Sequence, residues 1–231
     1  MLFDLRGRGR RRAVQVIYAT LAILMGGGLV LFGVGGAVDG GLLNAFQGDQ
    51  SSVTDVNKEQ LKEAEAKVRA NRDSAEAWAS LAKVRLARAR AIGYDPNQDA
   101  FTEEGLNELR EADRAWQKSL ELSDKPDATT AAVMITAYLQ GALDEPKEAV
   151  RAQEIILEAR KKPDSTDFAQ YAVLAFEAGQ LDKGDRAVAK AVSLAPRAQR
   201  KNLREQLAQA KTRAITQSAQ EASQTATTAS P

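Results

Sequence analysis

The sequence predicts an all-α chain in which one N-terminal transmembrane helix is followed by a stack of antiparallel helix pairs. Three observations predict it. An uncharged apolar run extends from Ala13 to Val38; Ala, Leu, Glu, Lys, Arg and Gln dominate the remainder while aromatics make up only 5%; and apolar residues recur at helical spacing, broken at intervals by Gly and Pro. With 231 residues the chain has room for one span and one modest domain.

Composition removes several chemistries. The chain has no Cys and no His, so thiol nucleophiles, imidazole bases and nearly all transition-metal sites are absent. The net charge of +1 conceals an asymmetry. Arg6, Arg8, Arg10, Arg11 and Arg12 against Asp4 put +4 on the first twelve residues and leave −3 on the rest. The basic charge therefore belongs to a membrane flank, and the main domain has no excess that would recruit nucleic acid.

Residues 1–12 read as a basic cytoplasmic segment and 13–38 as the transmembrane helix, longer than the roughly 20 residues that cross hydrocarbon. Five arginines before the run and Asp39 after it place the N-terminus inside and the rest outside. A cleaved signal is the competing reading, because Gly35, Gly36 and Ala37 are small, but signal cores run only about 7–15 residues. Gly26, Gly27, Gly28, Gly33, Gly35 and Gly36 crowd the outer half of the span, where small residues let another helix approach.

Residues 39–56, rich in Gly, Asp, Gln and Ser, read as a linker. The helical domain follows over 57–215. Asn57 with Gln60 has capping-box form, giving a helix from about Lys58 to Ala70. Asp73 with Glu76 opens a second, carrying Trp78, Leu81, Ala82, Leu86 and Ala89 to Gly93. After the break from Ile92 to Phe101, Thr102 caps a third with a Phe101–Leu106 staple. Further helices are expected from Ala131 to Gln140, Lys147 to Arg160, Ser165 to Ala178, Lys183 to Leu194, and Arg197 to Ile215. The tail, 216–231, offers little to bury and reads as disordered.

Within this pattern a common register appears. The pair over 165–198 carries Phe168, then Tyr171 and Ala172, Ala175 and Phe176, the turn at Gly179, a small residue at Gly184, Val188 and Ala191, and Pro196. The pair over 74–126 carries Trp78, Leu81 and Ala82, then Ala112, Trp116, Ser119 and Pro126, with a loop about ten residues longer than such pairs use. The segment 127–163 is degenerate, keeping Tyr138, Gly141, Ala149, Ile156 and Pro163 without a large opening aromatic. At a spacing of about 34 residues these positions resemble the tetratricopeptide repeat. The resemblance covers roughly Ser74 to Arg197. It implies a short α-solenoid whose concave face is lined by the first helices, with end caps at 58–70 and 197–215. It also implies that these aromatic and small residues serve packing between helices. Tyr171 in place of Leu, and Gly184 in place of Ala, are departures that local packing must absorb.

No catalytic, cofactor-binding or metal-binding constellation is expected, and no small-molecule substrate. The expected partners are other proteins, with the membrane engaged through 13–38. Candidate contacts are Tyr94, on the inserted loop from Ile92 to Phe101, and Arg85 and Arg88 in the basic run that includes Lys83 and Arg90. The layout resembles bacterial single-span, N-in tetratricopeptide proteins of the envelope, including those that accompany the secretion translocon. That resemblance implies a cytoplasmic-membrane protein with an extracytoplasmic domain, acting as a chaperone-like accessory or as a scaffold for an envelope complex. A secreted binding module is the third expectation.

Overall fold

A computed structural model of the chain describes the backbone of residues 50–139 and 141–228 and the side chains of residues 58–139 and 141–220. The basic segment 1–12, the span 13–38 and the first part of the linker lie outside the described residues. Among the described residues no helix is long and apolar enough to cross a membrane.

The described chain is mostly helical, with one small hairpin. Helix α1 (Gln50–Ala70) turns into α2 (Ala75–Gly93). Strands β1 (Tyr94–Asp95) and β2 (Ala100–Phe101) lead to α3 (Glu103–Glu121). Then come α4 (Ala128–Met134) with a 3-10 turn over Ile135–Ala137, α5 (Pro146–Ala159), α6 (Ser165–Glu177), α7 (Leu181–Leu194) and α8 (Arg200–Thr228). Sequence neighbours pack: α1 on α2, α2 on α3, α4 on α5, α5 on α6, and α6 on α7. Helices further apart along the chain also pack, α2 with α4 and α6 with α8.

Caps explain most boundaries. Ser74 Oγ accepts the Ala77 N–H at 3.1 Å and begins α2, one residue past the expected Asp73. Thr102 caps α3 as expected. Asp127 accepts the Thr129 and Thr130 N–H groups at the start of α4. Pro146 occupies the first turn of α5, where its missing N–H has no consequence. Asp164 and Asp167 form a reciprocal capping box on α6. Gly179 takes φ +70 in the α6–α7 turn, a conformation other residues adopt only with strain.

Three expectations need correction. The linker does not reach residue 56, because the backbone is helical from Gln50. Docking of Leu61, Ala64 and Val68 on the core nucleates α1, and no Gly or Pro follows Asp49 to stop extension toward the N-terminus. The tail is likewise helical to Thr228 rather than disordered from 216. Leu207 and Ala214 are buried and fix the helix, after which Ala- and Gln-rich sequence propagates it; Thr216 and Ser218 hydroxyls donate to the carbonyls one turn back. Finally, the helix expected from Ala131 to Gln140 begins earlier and stops at Met134. Val133, Ile135 and Thr136 are β-branched. Thr136 Oγ1 donates to the Val133 carbonyl at 2.7 Å, and the chain tightens into a turn closed by Leu143 N–H to Ala137 O and Glu145 N–H to Tyr138 O.

The core has two parts. One runs from α1 to α6 around Leu86, Leu109, Trp116, Met134, Tyr138 and Val150. The other joins α6, α7 and α8 around Ala172, Phe176, Ala191 and Leu207.

Candidate functional site

The inserted loop proves to be a splint. Tyr94 pairs with Phe101 across the hairpin, and the two rings meet edge to face with centroids 5.4 Å apart. The Tyr94 hydroxyl donates to Asp99 Oδ1, and that carboxylate holds the phenol above its ordinary pKa. On its other side the hairpin is tied to the turn after α4, where the Phe101 N–H donates to the Gly141 carbonyl at 2.9 Å. A Cβ at Gly141 would stand 2.7 Å from the Asp99 carbonyl oxygen, so this contact needs glycine. Tyr94 keeps 41% of its surface exposed and remains available at the edge of the splint.

The basic run of α2 is engaged by neighbouring elements. Arg85 donates to Glu65 on α1 at 2.7 Å and to Glu108 on α3 at 2.9 Å, while Arg88 donates to the other Glu108 oxygen at 2.8 Å. Their side chains are only 19% and 17% exposed. Lys83 lies 3.7 Å from Asp127 at the α4 cap, and Arg90 donates to Thr136 Oγ1 at 2.6 Å. Each cation therefore joins α2 to another element. Sequence reasoning missed the acceptors Glu65 and Glu108, which lie 20 or more residues away and carry no local signal.

The residues expected to pack between helices differ in burial. Leu81, Ala82, Ala112, Trp116, Tyr138 and Ala172 are buried, as is Gly184; Trp78, Phe168 and Tyr171 are half-buried; and Pro196 is exposed beyond α7. Corresponding first-helix positions in the α2–α3 and α6–α7 pairs differ by ninety residues, and second-helix positions by seventy-two. One closure shows the correspondence directly. Ser119 on α3 donates to the Ala75 carbonyl of α2 at 2.9 Å, and Ser165 on α6 donates to the Ala191 carbonyl of α7 at 2.8 Å. Ala75 matches Ser165 and Ser119 matches Ala191, so the same junction is made with the hydroxyl on opposite helices.

The two pairs also carry matching surface grooves. Between α2 and α3 a groove of about 390 Å³ is lined by Trp78, Leu81, Arg85, Arg114, Ala115 and Lys118. Between α6 and α7 one of about 210 Å³ is lined by Phe168, Tyr171, Lys183, Arg186, Ala187 and Lys190. Aromatic floors, an alanine and two exposed cations recur at corresponding places. Trp78 Nε1–H donates to the Arg72 carbonyl at 2.8 Å, which fixes its ring. Lys190 Nζ stands 5.9 Å from the Phe168 ring centre, within reach of a cation–π contact. The Tyr171 hydroxyl donates to Glu154 on α5 at 2.6 Å and Lys183 to the same oxygen at 2.9 Å. Burial would raise the Glu154 pKa, but these two partners hold it below the ordinary value.

A third concavity, about 460 Å³, lies beside the α4–α5 turn and is lined by Tyr138, Leu139, Asp144, Glu177, Ala214 and Ser218 among others. Its surroundings are acidic. Tyr138 donates to Asp113 at 2.6 Å, and burial together with that carboxylate pushes the phenol pKa up. Burial, Asp113 and Glu148 raise that of Glu145. Among the described residues no group of three carboxylates is placed to hold a metal ion.

Compared with known proteins, the chain matches no family model, no curated protein and no solved structure.

Proposed function

We propose that the chain is a membrane-anchored protein–protein interaction module of tetratricopeptide type, with no enzymatic activity of its own. The observation that carries this reading is the recurrence of one helix-pair design: α2–α3 and α6–α7 share a small-residue seam, a hydroxyl closure and a surface groove at corresponding positions. A design of that kind provides extended faces for another polypeptide. The degenerate α4–α5 pair lies between them, with α1 and α8 as the end helices. In this reading residues 13–38 anchor the module in a bacterial cytoplasmic membrane, and the positive-inside rule supports an extracytoplasmic domain. The partner is an envelope protein, held in an assembly that survives mild solubilisation.

Mild solubilisation of native membranes followed by native electrophoresis tests it. The expected result is migration of the chain in a defined assembly with a second protein at fixed stoichiometry. Migration of the chain alone, at every detergent concentration that retains other membrane complexes, would contradict the proposal.

A further inference from the structure

The two grooves match in shape and differ in charge. In the α2–α3 groove the exposed cations are neutralised locally, Arg114 by Glu111 at 2.6 Å and Lys118 by Glu121 at 2.7 Å. The positions corresponding to those two glutamates in α7 are Lys183 and Ser193. The α6–α7 groove has therefore lost both acids and gained a cation. The acid bonded to its lining, Glu154 on α5, is engaged by Lys183 and Tyr171. Among the described residues, no carboxylate comes within ion-pairing distance of Arg186 or Lys190. Both side chains are exposed and stand over an apolar floor made by Phe168 and Ala187.

We infer that this groove is a docking site for an acidic protein segment bearing one apolar anchor residue, a reading that rests on the proposal that the chain holds a protein partner. The floor takes the anchor, in a space sized for a single large side chain. Acidic residues on either side meet Arg186 and Lys190, and the Phe168 face loses its internal cation only as that cation gains a carboxylate. A peptide suits the site better than a nucleic acid, because the groove offers two cations around an apolar floor for one side chain rather than a basic track along a phosphate backbone. The α2–α3 groove, self-neutralised, has no such preference.

The test uses the full chain in detergent micelles, titrated with labelled dodecapeptides that place one Phe or Leu between runs of Glu and Asp. A lysine-flanked series and a dodecamer of deoxythymidine serve as comparisons. The acidic series is expected to bind, more weakly as salt rises, and R186E/K190E to reduce affinity by at least about tenfold. K161E/K162E, which makes the same charge change on the α5–α6 loop outside either groove, is expected to leave affinity unchanged. All four residues are exposed, and an unchanged thermal midpoint confirms that each variant is folded. The inference is overturned by absence of acidic-peptide binding, by binding indifferent to R186E/K190E, or by equal binding of the basic peptides or the oligonucleotide. Native electrophoresis reads the general partner proposal separately, so an assembly found there alongside a negative titration would remove only the groove.

Discussion

Gly184 shows how a single side chain is dictated by one neighbour. A Cβ there would stand 2.2 Å from Phe176 Cε1 and 2.4 Å from Cδ1, and Phe176 is itself buried. The ring fills the space that an alanine would take, so Gly184→Ala is expected to destabilise the fold by about 1–3 kcal/mol through overpacking. Adding Phe176→Leu should recover part of that loss, and a double-mutant cycle by denaturant unfolding reads the coupling. Additive effects would show that the two sites do not compete for space. Gly184 was legible as a small-residue position, but its reason was not, because the ring that excludes Cβ reaches across from the preceding helix. Gly93 was legible as a helix end, but its close approach to Gly105 was not. A Cβ on Gly93 would lie 2.3 Å from the Gly105 Cα, a backbone-to-backbone approach that neither residue announces locally. Thr102, Asp164 and Gly179 are readable or nearly so, because each acts on chain within a few residues of itself.

At the level of elements, two helices make opposite demands. Helix α4 is short and depends on its cap. Burial would raise the Asp127 pKa, but the Thr130 hydroxyl, the Thr129 and Thr130 N–H groups and Lys83 together lower it. Its stabilising contribution is therefore present above the unfolded value of 3.8 and is lost as pH falls through the lower folded value. Asp127→Ala should cost about 1 kcal/mol near neutrality, and its melting curve should begin to converge on that of the parent only as pH falls below 3.8. A constant difference down to pH 2 would refute a role for the ionised cap. Helix α8, in contrast, continues well past its buried anchors Leu207 and Ala214. Truncation after Ile215 is expected to lower helical ellipticity while changing stability by less than about 0.5 kcal/mol. Unchanged ellipticity would mean that residues 216–228 are not helical in solution. The sequence pattern was misleading at both chain-end helices for one reason: propagation from a docked segment needs only tolerable residues, and no capping or burial signal marks it.

Consecutive helices supply most of the packing among the described residues, and polar links tie them across more than one junction. Arg85 links α1 and α3 through Glu65 and Glu108, and the β1–β2 hairpin links the first pair to the α4–α5 turn. Arg85→Ala should cost about 1–3 kcal/mol and accelerate amide exchange in α1 more than in α7. Uniform acceleration would indicate one cooperative unit rather than a locally released end helix. These links make Arg85 and Arg88 internal ties, and they leave the grooves and the exposed edge of Tyr94 as the surfaces open to a partner.

Those surfaces are proposed to hold another protein. Site-specific photocrosslinking in native membranes, from position 186 on the groove rim and position 94 on the hairpin, tests it most directly. A discrete protein adduct is expected from position 186, identifiable by mass spectrometry and lost in competition with the acidic peptide. Absence of any protein adduct from either position, with the chain present at its normal level, would contradict it.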